Sequence, residues 1–491
     1  MRGDDFGTAR LPSSANNGCT VLVHISRSLS PGSAGVRMLR RAPPLHRALR
    51  PLPALQHRRP SSSSSPSPTH KPHTPPSAAH GHLPGAPRSS LTPELHFFNS
   101  VLEGEQIPTY RVLDANGNVV PGAKVPEVGR EFARRLYETM MLLPSVDTVL
   151  YSAQRHGSIS FYMTTHGEEA SVVGSAAALS PTDEVLGQYR ELGVLLWRSY
   201  PLSLIMSQVF SNADDASTKG RQMPVHFGSP EHHFHTISSP LATQIPQAAG
   251  VAYALKRDPA RRGDVAVCYF GEGAASEGDF HAGLGMASVL GGPSIFFCRN
   301  NGFAISTPAS EQYAGDGIAA RGPGYGVYTV RVDGNDAWAV YNAVKEARRL
   351  ALENQKPVLV EAMTYRVGHH STSDDSYAYR AKQEVEDWKR VDNPLFRLRK
   401  YLESQGWWSS DEEQALRTAQ RKEVMDAFQK AEKRKKPRLG EMMRDVWAGE
   451  EPWMISEQRE ELRGLLGKYG EAWEPYRKEL ERFEGGGRDV I

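Results

Sequence analysis

The sequence predicts an α/β fold: a mostly parallel sheet flanked by helices, followed by a helical C-terminal region. Three observations carry this reading. Apolar runs of strand length (Val265 to Phe270, Ile295 to Phe297, Pro357 to Thr364) alternate with stretches of helical periodicity, the mark of strand–helix–strand units. The gap between the first two runs exceeds the dozen or so residues that a parallel crossover needs. Both runs also end in polar groups, Gly271-Glu272-Gly273-Ala274 and Arg299-Asn300-Asn301-Gly302, and ligands bind at that carboxyl edge of a parallel sheet.

The elements follow in order. His96 to Tyr110 reads as an ordered arm. Arg130 to Leu143 places Phe132, Leu136, Met140 and Leu143 on one helical face. Gly167 to Leu179 is rich in small residues and suits a tightly packed helix. Ala242 to Lys256 reads as a helix opened by Ser238-Ser239-Pro240. The Val265 strand, a helix over Asp279–Leu290 and the Ile295 strand come next. Tyr328 to Val332 is a short strand. Asn335-Asp336 then caps a helix over Ala337–Leu352, and Pro357 to Thr364 is a buried strand. Beyond Asp387 the chain is charged and helix-forming, from Phe396 through Leu402 and from Asp411 to Lys435, with breaks at Pro437 and Pro452.

At 491 residues the chain can bury a large core. A net charge of +2 gives no basic field for nucleic acid. Three scattered cysteines fit a reducing compartment. No apolar run approaches the roughly 20 residues that span a bilayer. The first stretch of chain is basic, Ser- and Pro-rich, and nearly free of acids after Asp5, which reads as an organelle transit segment over residues 1–60. Met38-Leu39-Arg40-Arg41 looks like the start of a working presequence, with 1–37 as an upstream extension; a basic tail with no address is the alternative. Residues 61–95, with Ser61 to Ser65 and many prolines, read as a linker unable to fold. Residues 96–385 form the α/β domain, and 386–491 the helical region.

Glu272 and Asn301 could converge on one hard cation, since oxygen donors of this kind suit Mg²⁺ with phosphate oxygens completing its octahedron. Taken singly, Glu272 would serve equally as a helix cap and Asn301 as a turn former. Backbone amides of Gly273 and Ala274, at the start of the following helix, suit an anion. Arg299, directly before the Asn pair, offers a guanidinium fork that matches phosphate. His369-His370 follows an apolar strand, and a histidine there can move protons, although structural histidines are the commoner case.

The Gly-Glu-Gly and Asn-Asn pair resembles the thiamin-diphosphate motif, with Glu272 in place of its usual Asp. The resemblance extends from about Phe97 to the C-terminus and is to α subunits of the mitochondrial branched-chain 2-oxo acid dehydrogenases. Its segments are Gly187-Gln188-Tyr189-Arg190, Lys219 to His226, Ser238-Ser239-Pro240-Leu241-Ala242-Thr243-Gln244, and Tyr365 to Asp375. The resemblance implies a thiamin-diphosphate-binding fold. It implies that Gln188, Tyr189, Arg190, Ser239 and Leu241 line the cofactor site. It makes the backbone carbonyl of Phe303 a third Mg²⁺ ligand, although the family more often has Tyr there. Ser238, Pro240, Thr243 and Gln244 match a K⁺ loop, which the residues alone would make a helix cap. His370 takes the catalytic place beside the cofactor, with His369 as its support. Ser371 matches an inhibitory phosphorylation site, while the family's second site falls on Ala381, which accepts no phosphate; a solvated loop without a switch is the alternative.

The same resemblance implies oxidative decarboxylation of branched 2-oxo acids and acyl transfer to the lipoyl group of a dihydrolipoyl transacylase. Only one α/β unit is evident, so a β subunit would supply the pyrimidine-binding half in an α₂β₂ heterotetramer. A regulatory kinase and phosphatase are further implied partners. Two rivals remain. A pyruvate or acetoin dehydrogenase α subunit would typically carry Gly-Asp-Gly-Ala-Ala-Asn-Gln-Gly and His-Gly-His-Ser, which this chain lacks. A non-catalytic scaffold subunit would have no need of Glu272, Arg299, Asn301 and His370 together.

Overall fold

The computed structural model describes residues 91–96, 106–445 and 447–487. The transit segment and nearly all of the linker lie outside them, as does 97–105 of the expected arm. The described residues form ten strands: β1 (Leu91–Thr92), β2 (Thr109–Tyr110), β3 (Glu184–Leu186), β4 (Phe234–His235), β5 (Ala266–Gly271), β6 (Ser294–Asn300), β7 (Phe303–Ala304), β8 (Thr307–Pro308), β9 (Tyr328–Asp333) and β10 (Pro357–Met363). Eight form one sheet in the order β1-β2-β9-β10-β6-β5-β3-β4, and every pairing in it is parallel. The sheet thus begins at Leu91, inside the segment read as linker.

The helices are α1 (Arg130–Arg155), α2 (Glu169–Ala177), α3 (Leu192–Trp197), α4 (Leu202–Phe210), α5 (Gln244–Arg257), α6 (Gly278–Leu290), α7 (Ala309–Gln312), α8 (Ala337–Asn354), α9 (Lys382–Val391), α10 (Pro394–Ser404), α11 (Ser410–Lys433), α12 (Trp453–Lys468) and α13 (Arg477–Leu480). Period-2 alternation divides the strands between two cores. Val267 and Tyr269 of β5, Ile295 and Phe297 of β6, and Val358 and Val360 of β10 face the larger core with α1, α2 and α8. Cys268, Phe270, Phe296, Cys298 and Leu359 face a second core under α5 and α6. The central strands are therefore covered on both faces, which is why they read as unbroken apolar runs.

Several bounds differ from expectation for physical reasons. α1 continues through Pro144 to Arg155. Its buried face also continues, through Leu136, Met140, Leu143, Val146 and Leu150. Burying such side chains gains about 1.5–3 kcal/mol each, enough to offset an interior proline costing ~3 kcal/mol. α5 opens at Gln244, two residues late, because Ala242 takes a left-handed conformation (φ 66°). Asp336 caps α8 as expected, accepting from the amides of Trp338 and Ala339. α9, unforeseen, runs across the expected 385/386 boundary. Helix α11 packs on α1 through Arg134–Glu412 (2.6 Å) and Tyr137–Glu413 (3.0 Å). Among the described residues no helix is long and apolar enough to cross a membrane.

Candidate active site at the carboxyl edge of the sheet

In-register pairing aligns the ends of the central strands. Gly271 of β5 sits opposite Arg299 of β6, and Asn300 of β6 opposite Met363 of β10. The residues just past these ends are therefore gathered by the sheet itself. Between them and the loop after β3 lies a cavity of about 210 Å³. It is lined by Gln188, Tyr189, Arg190, Leu241, Glu272, Gly273, Ala274, Arg299, Asn301, Phe303 and His370. Eleven sequence-predicted site residues thus converge. A larger cleft of about 670 Å³ lies between α1 and α11, but it holds none of them, so size alone would misplace the site.

Glu272 is the centre of this cavity chemically. Its side chain is buried, Oε2 accepts from the Asn301 backbone N–H at 3.3 Å, and Oε1 is buried with no partner among the described residues. Burial pushes its carboxyl up to about 7, helped by the nearby Glu168 charge. A buried carboxylate oxygen without a hydrogen bond is costly and calls for a cation. Asn301 Oδ1 accepts from Phe303 N at 3.3 Å. Gly273 is required here, because a Cβ on it would stand 2.6 Å from Ala304 Cβ. The turn that follows is a single 3₁₀ turn, Ala274–Ser276, before α6 begins.

Two carboxylates unmarked by the sequence reading organise the site. Glu168 Oε2 accepts from Arg299 Nη1 at 2.6 Å and its Oε1 from Asn301 Nδ2 at 2.9 Å. Burial opposes its charge, but the Arg299 and Arg190 guanidiniums outweigh burial and hold its carboxyl below the usual range. Glu191 accepts from Arg299 Nε at 2.8 Å and from the amides of Gln188 and Tyr189, both at 2.8 Å. Gln188 Oε1 in turn accepts from Gly271 N at 2.9 Å, which ties the β3 loop to the end of β5. Arg299 is thus held charged against burial by Glu191 and Glu168, with part of its fork already committed. Arg190 is committed too, to the carbonyls of Thr164 and His370.

His370 reaches the cavity edge-on to Tyr189, with ring centroids 6.1 Å apart. Burial, then the Arg190 and Arg366 charges, push its imidazole down to about 3, so the ring is neutral near pH 7 and not poised to titrate there. Its amide donates to Asp374 at 2.7 Å. His369 points elsewhere and accepts from Ser376 N at 3.0 Å. Ser371 is buried beside His370, and its Oγ accepts from Ser373 N at 3.3 Å. Ser239 does not line the cavity; its Oγ meets His226 Nε2 at 2.7 Å. Near it, Thr243 Oγ1 donates to the Pro240 carbonyl at 3.2 Å, and Gln244 Nε2 donates to Tyr269 O at 3.0 Å, which leaves the Gln244 amide oxygen for another partner.

The family model described as dehydrogenase E1 component matches residues 137–439. The chain is 56% identical over 390 residues to the mitochondrial 2-oxoisovalerate dehydrogenase subunit alpha of Homo sapiens, covering 79% of this chain and 86% of that one. Identity to the mitochondrial protein of that name from Caenorhabditis elegans is 52% over 387 residues, covering 79% and 89%. For mitochondrial subunit alpha 1 of Arabidopsis thaliana it is 51% over 370 residues, covering 75% and 78%. The matched span runs from α1 past α11 and so contains every cavity residue named above, which places this chain in the dehydrogenase E1 component family.

Proposed function

We propose that the chain is the α subunit of a mitochondrial 3-methyl-2-oxobutanoate dehydrogenase (2-methylpropanoyl-transferring), the decarboxylase of branched-chain amino acid catabolism. In this reading it works in an α₂β₂ heterotetramer with a β subunit and hands its acyl product to the lipoyl group of a dihydrolipoyl transacylase. The carrying observation is the buried, unpartnered Glu272 oxygen beside Asn301 at two adjacent strand ends. One carboxylate, one amide oxygen and the Phe303 carbonyl are a donor set suited to Mg²⁺. Bound thiamin diphosphate would supply the electron sink for breaking the carbon–carbon bond to CO₂.

The protein's own part is positioning. Glu272, Asn301 and the Phe303 carbonyl would hold the metal. Arg299, Arg190, Gln188, Tyr189 and the Gly273–Ala274 backbone would border the cofactor's diphosphate. Ser239, bonded to His226, would have to give up that bond to join them. Neutral His370 accepts or donates a hydrogen bond at the reacting end, and an anionic diphosphate nearby would raise its proton affinity. Oxygens of Ser238, Pro240, Thr243 and Gln244 form a candidate K⁺ loop at the start of α5; the spare Gln244 oxygen supports this. Ser371 is a candidate phosphorylation site for a kinase and phosphatase pair. The mitochondrial names of the relatives support a matrix location.

The test is decarboxylation by the co-expressed αβ complex. Leu241 and Phe303 border the cavity, and an apolar pocket discriminates by about 1–3 kcal/mol per methylene. 3-Methyl-2-oxobutanoate should therefore exceed pyruvate in kcat/KM by roughly 10- to 200-fold per methylene-sized difference. Equal or better turnover of pyruvate would hand the function to the pyruvate dehydrogenase reading.

A further inference from the structure

We infer that Glu168 is the positioning residue that fixes which atom of Asn301 faces the metal site. This rests on the Mg²⁺ reading above. An asparagine side chain can present either its oxygen or its nitrogen, and only the oxygen ligates a cation. Something must therefore choose between two orientations of nearly identical shape. Glu168 is fully buried, and its Oε1 lies 2.9 Å from Asn301 Nδ2. An ionised carboxylate only accepts, so the nitrogen is drawn to Glu168 and the oxygen is turned away from it. The flipped amide would set oxygen against oxygen at a buried position, where unmatched polar groups are most costly.

The same carboxylate does more than orient one amide. Its Oε2 takes Arg299 Nη1 at 2.6 Å, and Arg190 Nε lies 3.8 Å from Oε1. Glu168 thus joins the ligand Asn301, Arg299 at the end of β6, and Arg190 of the β3 loop. Glu168 itself comes from another segment, the turn before α2, where Gly167 adopts φ 96° and a Cβ would lie 2.2 Å from Tyr365 O. Asn301 Oδ1 is also held by Phe303 N at 3.3 Å, a contact to the residue whose carbonyl is the third proposed ligand. Outer groups of this kind set ligand orientation and account for roughly 10- to 100-fold in metal affinity.

The experiment is Mg²⁺ and thiamin diphosphate titration of the co-expressed αβ complex, read by calorimetry and independent of turnover. Glu168→Gln is expected to weaken Mg²⁺ binding roughly 10- to 100-fold, because a glutamine can satisfy either orientation of Asn301. Asn301→Asp alone is expected to weaken it as well, by placing two carboxylates against each other. In the double variant Glu168→Gln/Asn301→Asp, the new side-chain amide at position 168 donates to the new carboxylate at position 301. The losses should therefore not add, and affinity should recover above that of Asn301→Asp. Wild-type affinity in Glu168→Gln, or strictly additive losses in the double variant, overturns the inference. If Glu168→Gln fails to assemble with the β subunit, Glu168→Asp keeps a charge for Arg299 while withdrawing from Asn301. It should melt within a few degrees of wild type yet bind Mg²⁺ more weakly; unchanged Mg²⁺ affinity in it again overturns the inference. Glu272→Ala is the control: binding that survives it removes the metal reading itself, whereas binding lost there and intact in the Glu168 variants removes only this inference.

Discussion

The strand-end site and the His370 loop face the same cavity but are built differently. The first inherits its geometry from a ladder: Gly271 pairs with Arg299, and Asn300 with Met363, within an entirely parallel sheet. A residue just past those ends has almost no freedom in where it stands. The second lies past the end of β10 at Met363; two backbone bonds, Val367 N to His166 O and Thr372 N to Tyr162 O, anchor it, and side chains do the rest. Asp374 takes the His370 amide and the Tyr379 hydroxyl, both at 2.7 Å. Arg380 donates to the Gly368 carbonyl at 2.7 Å. Arg366 holds Ile305 O at 2.8 Å, yet its Nε and Nη1 are buried without partners among the described residues. Burial and the neighbouring Arg190 bring that guanidinium down to about 10. Strand-end geometry is thus built in by topology, whereas loop geometry rests largely on a few side-chain contacts.

The largest expected effect attacks the ladder side. Glu272→Ala and Asn301→Ala should each lower Mg²⁺-dependent cofactor affinity by at least about 100-fold, since even loss of an outer group costs roughly 10- to 100-fold. They should differ in stability. Glu272→Ala removes one oxygen that has no partner and one held only by a long 3.3 Å bond from Asn301 N, so it should lose little melting temperature without metal. Asn301→Ala leaves Glu168 short of a donor, at about 1–3 kcal/mol, and should melt lower. Titration and melting of the αβ complex check both, and unchanged affinity in either variant removes it as a ligand.

Next is the loop. Phosphorylation of Ser371 would place about −1.5 to −2 charges at a buried position adjoining His370. The Ser371 Oγ has the Ser373 amide as its partner, so the loop must open to admit the group. A homogeneous phospho-Ser371 complex should lose lipoyl acylation almost completely, with faster amide exchange across residues 366–380. Metal affinity should change far less. If both fall together, the two regions are one mechanical unit and the contrast between them fails; full activity would show that the loop is no switch. A milder version is Asp374→Ala, which frees the His370 amide and the Tyr379 hydroxyl at once. Two hydrogen bonds worth about 1 kcal/mol each should cost up to roughly 30-fold in acyl transfer, with cofactor affinity nearly unchanged. Titration beside single-turnover kinetics separates these readouts.

What the sequence made legible follows the same division. Glu272, Arg299 and Asn301 could be placed because each directly follows or ends an apolar run, and strand ends in a parallel sheet are spatially predictable. Glu168 and Glu191 could not. Their role depends on contacts 131 and 108 residues away along the chain, and nothing local marks them except, for Glu168, two adjacent acids before an otherwise small-residue helix. α9 was missed because its sequence is charged and short, with only Val385 and Trp388 giving it an apolar face. The neutrality of His370 was equally invisible, since it comes from burial among Arg190 and Arg366 and not from its neighbours in sequence.

The smallest predicted effect is a pH dependence that belongs to the ladder side alone. Glu272 is raised from 4.5 to about 7 in the folded chain by burial. Its protonated form therefore stabilises the metal-free protein, fully so below pH 4.5, and that contribution is lost as pH rises through about 7. Metal binding runs the other way, because the ligand must be deprotonated. Below about pH 7 each Mg²⁺ displaces a proton from Glu272, so affinity should rise about 10-fold per pH unit up to that point and level off above it. The melting difference between metal-loaded and metal-free complex should widen over the same interval. With Mg²⁺ as the only titrant, the His370 ring of the folded chain stays neutral over this range. Its pKa is depressed from 6.5 to about 3, so its contribution is complete above 6.5 and is lost only as pH falls from there through about 3. Calorimetry at about pH 6, 7 and 8 in two buffers of different ionisation enthalpy reads the released proton directly. An Mg²⁺ affinity flat from about pH 6 to 8, with no proton release at the acid end, would mean that Glu272 is already ionised without metal. The orphaned oxygen would then be satisfied in solution by something other than a proton.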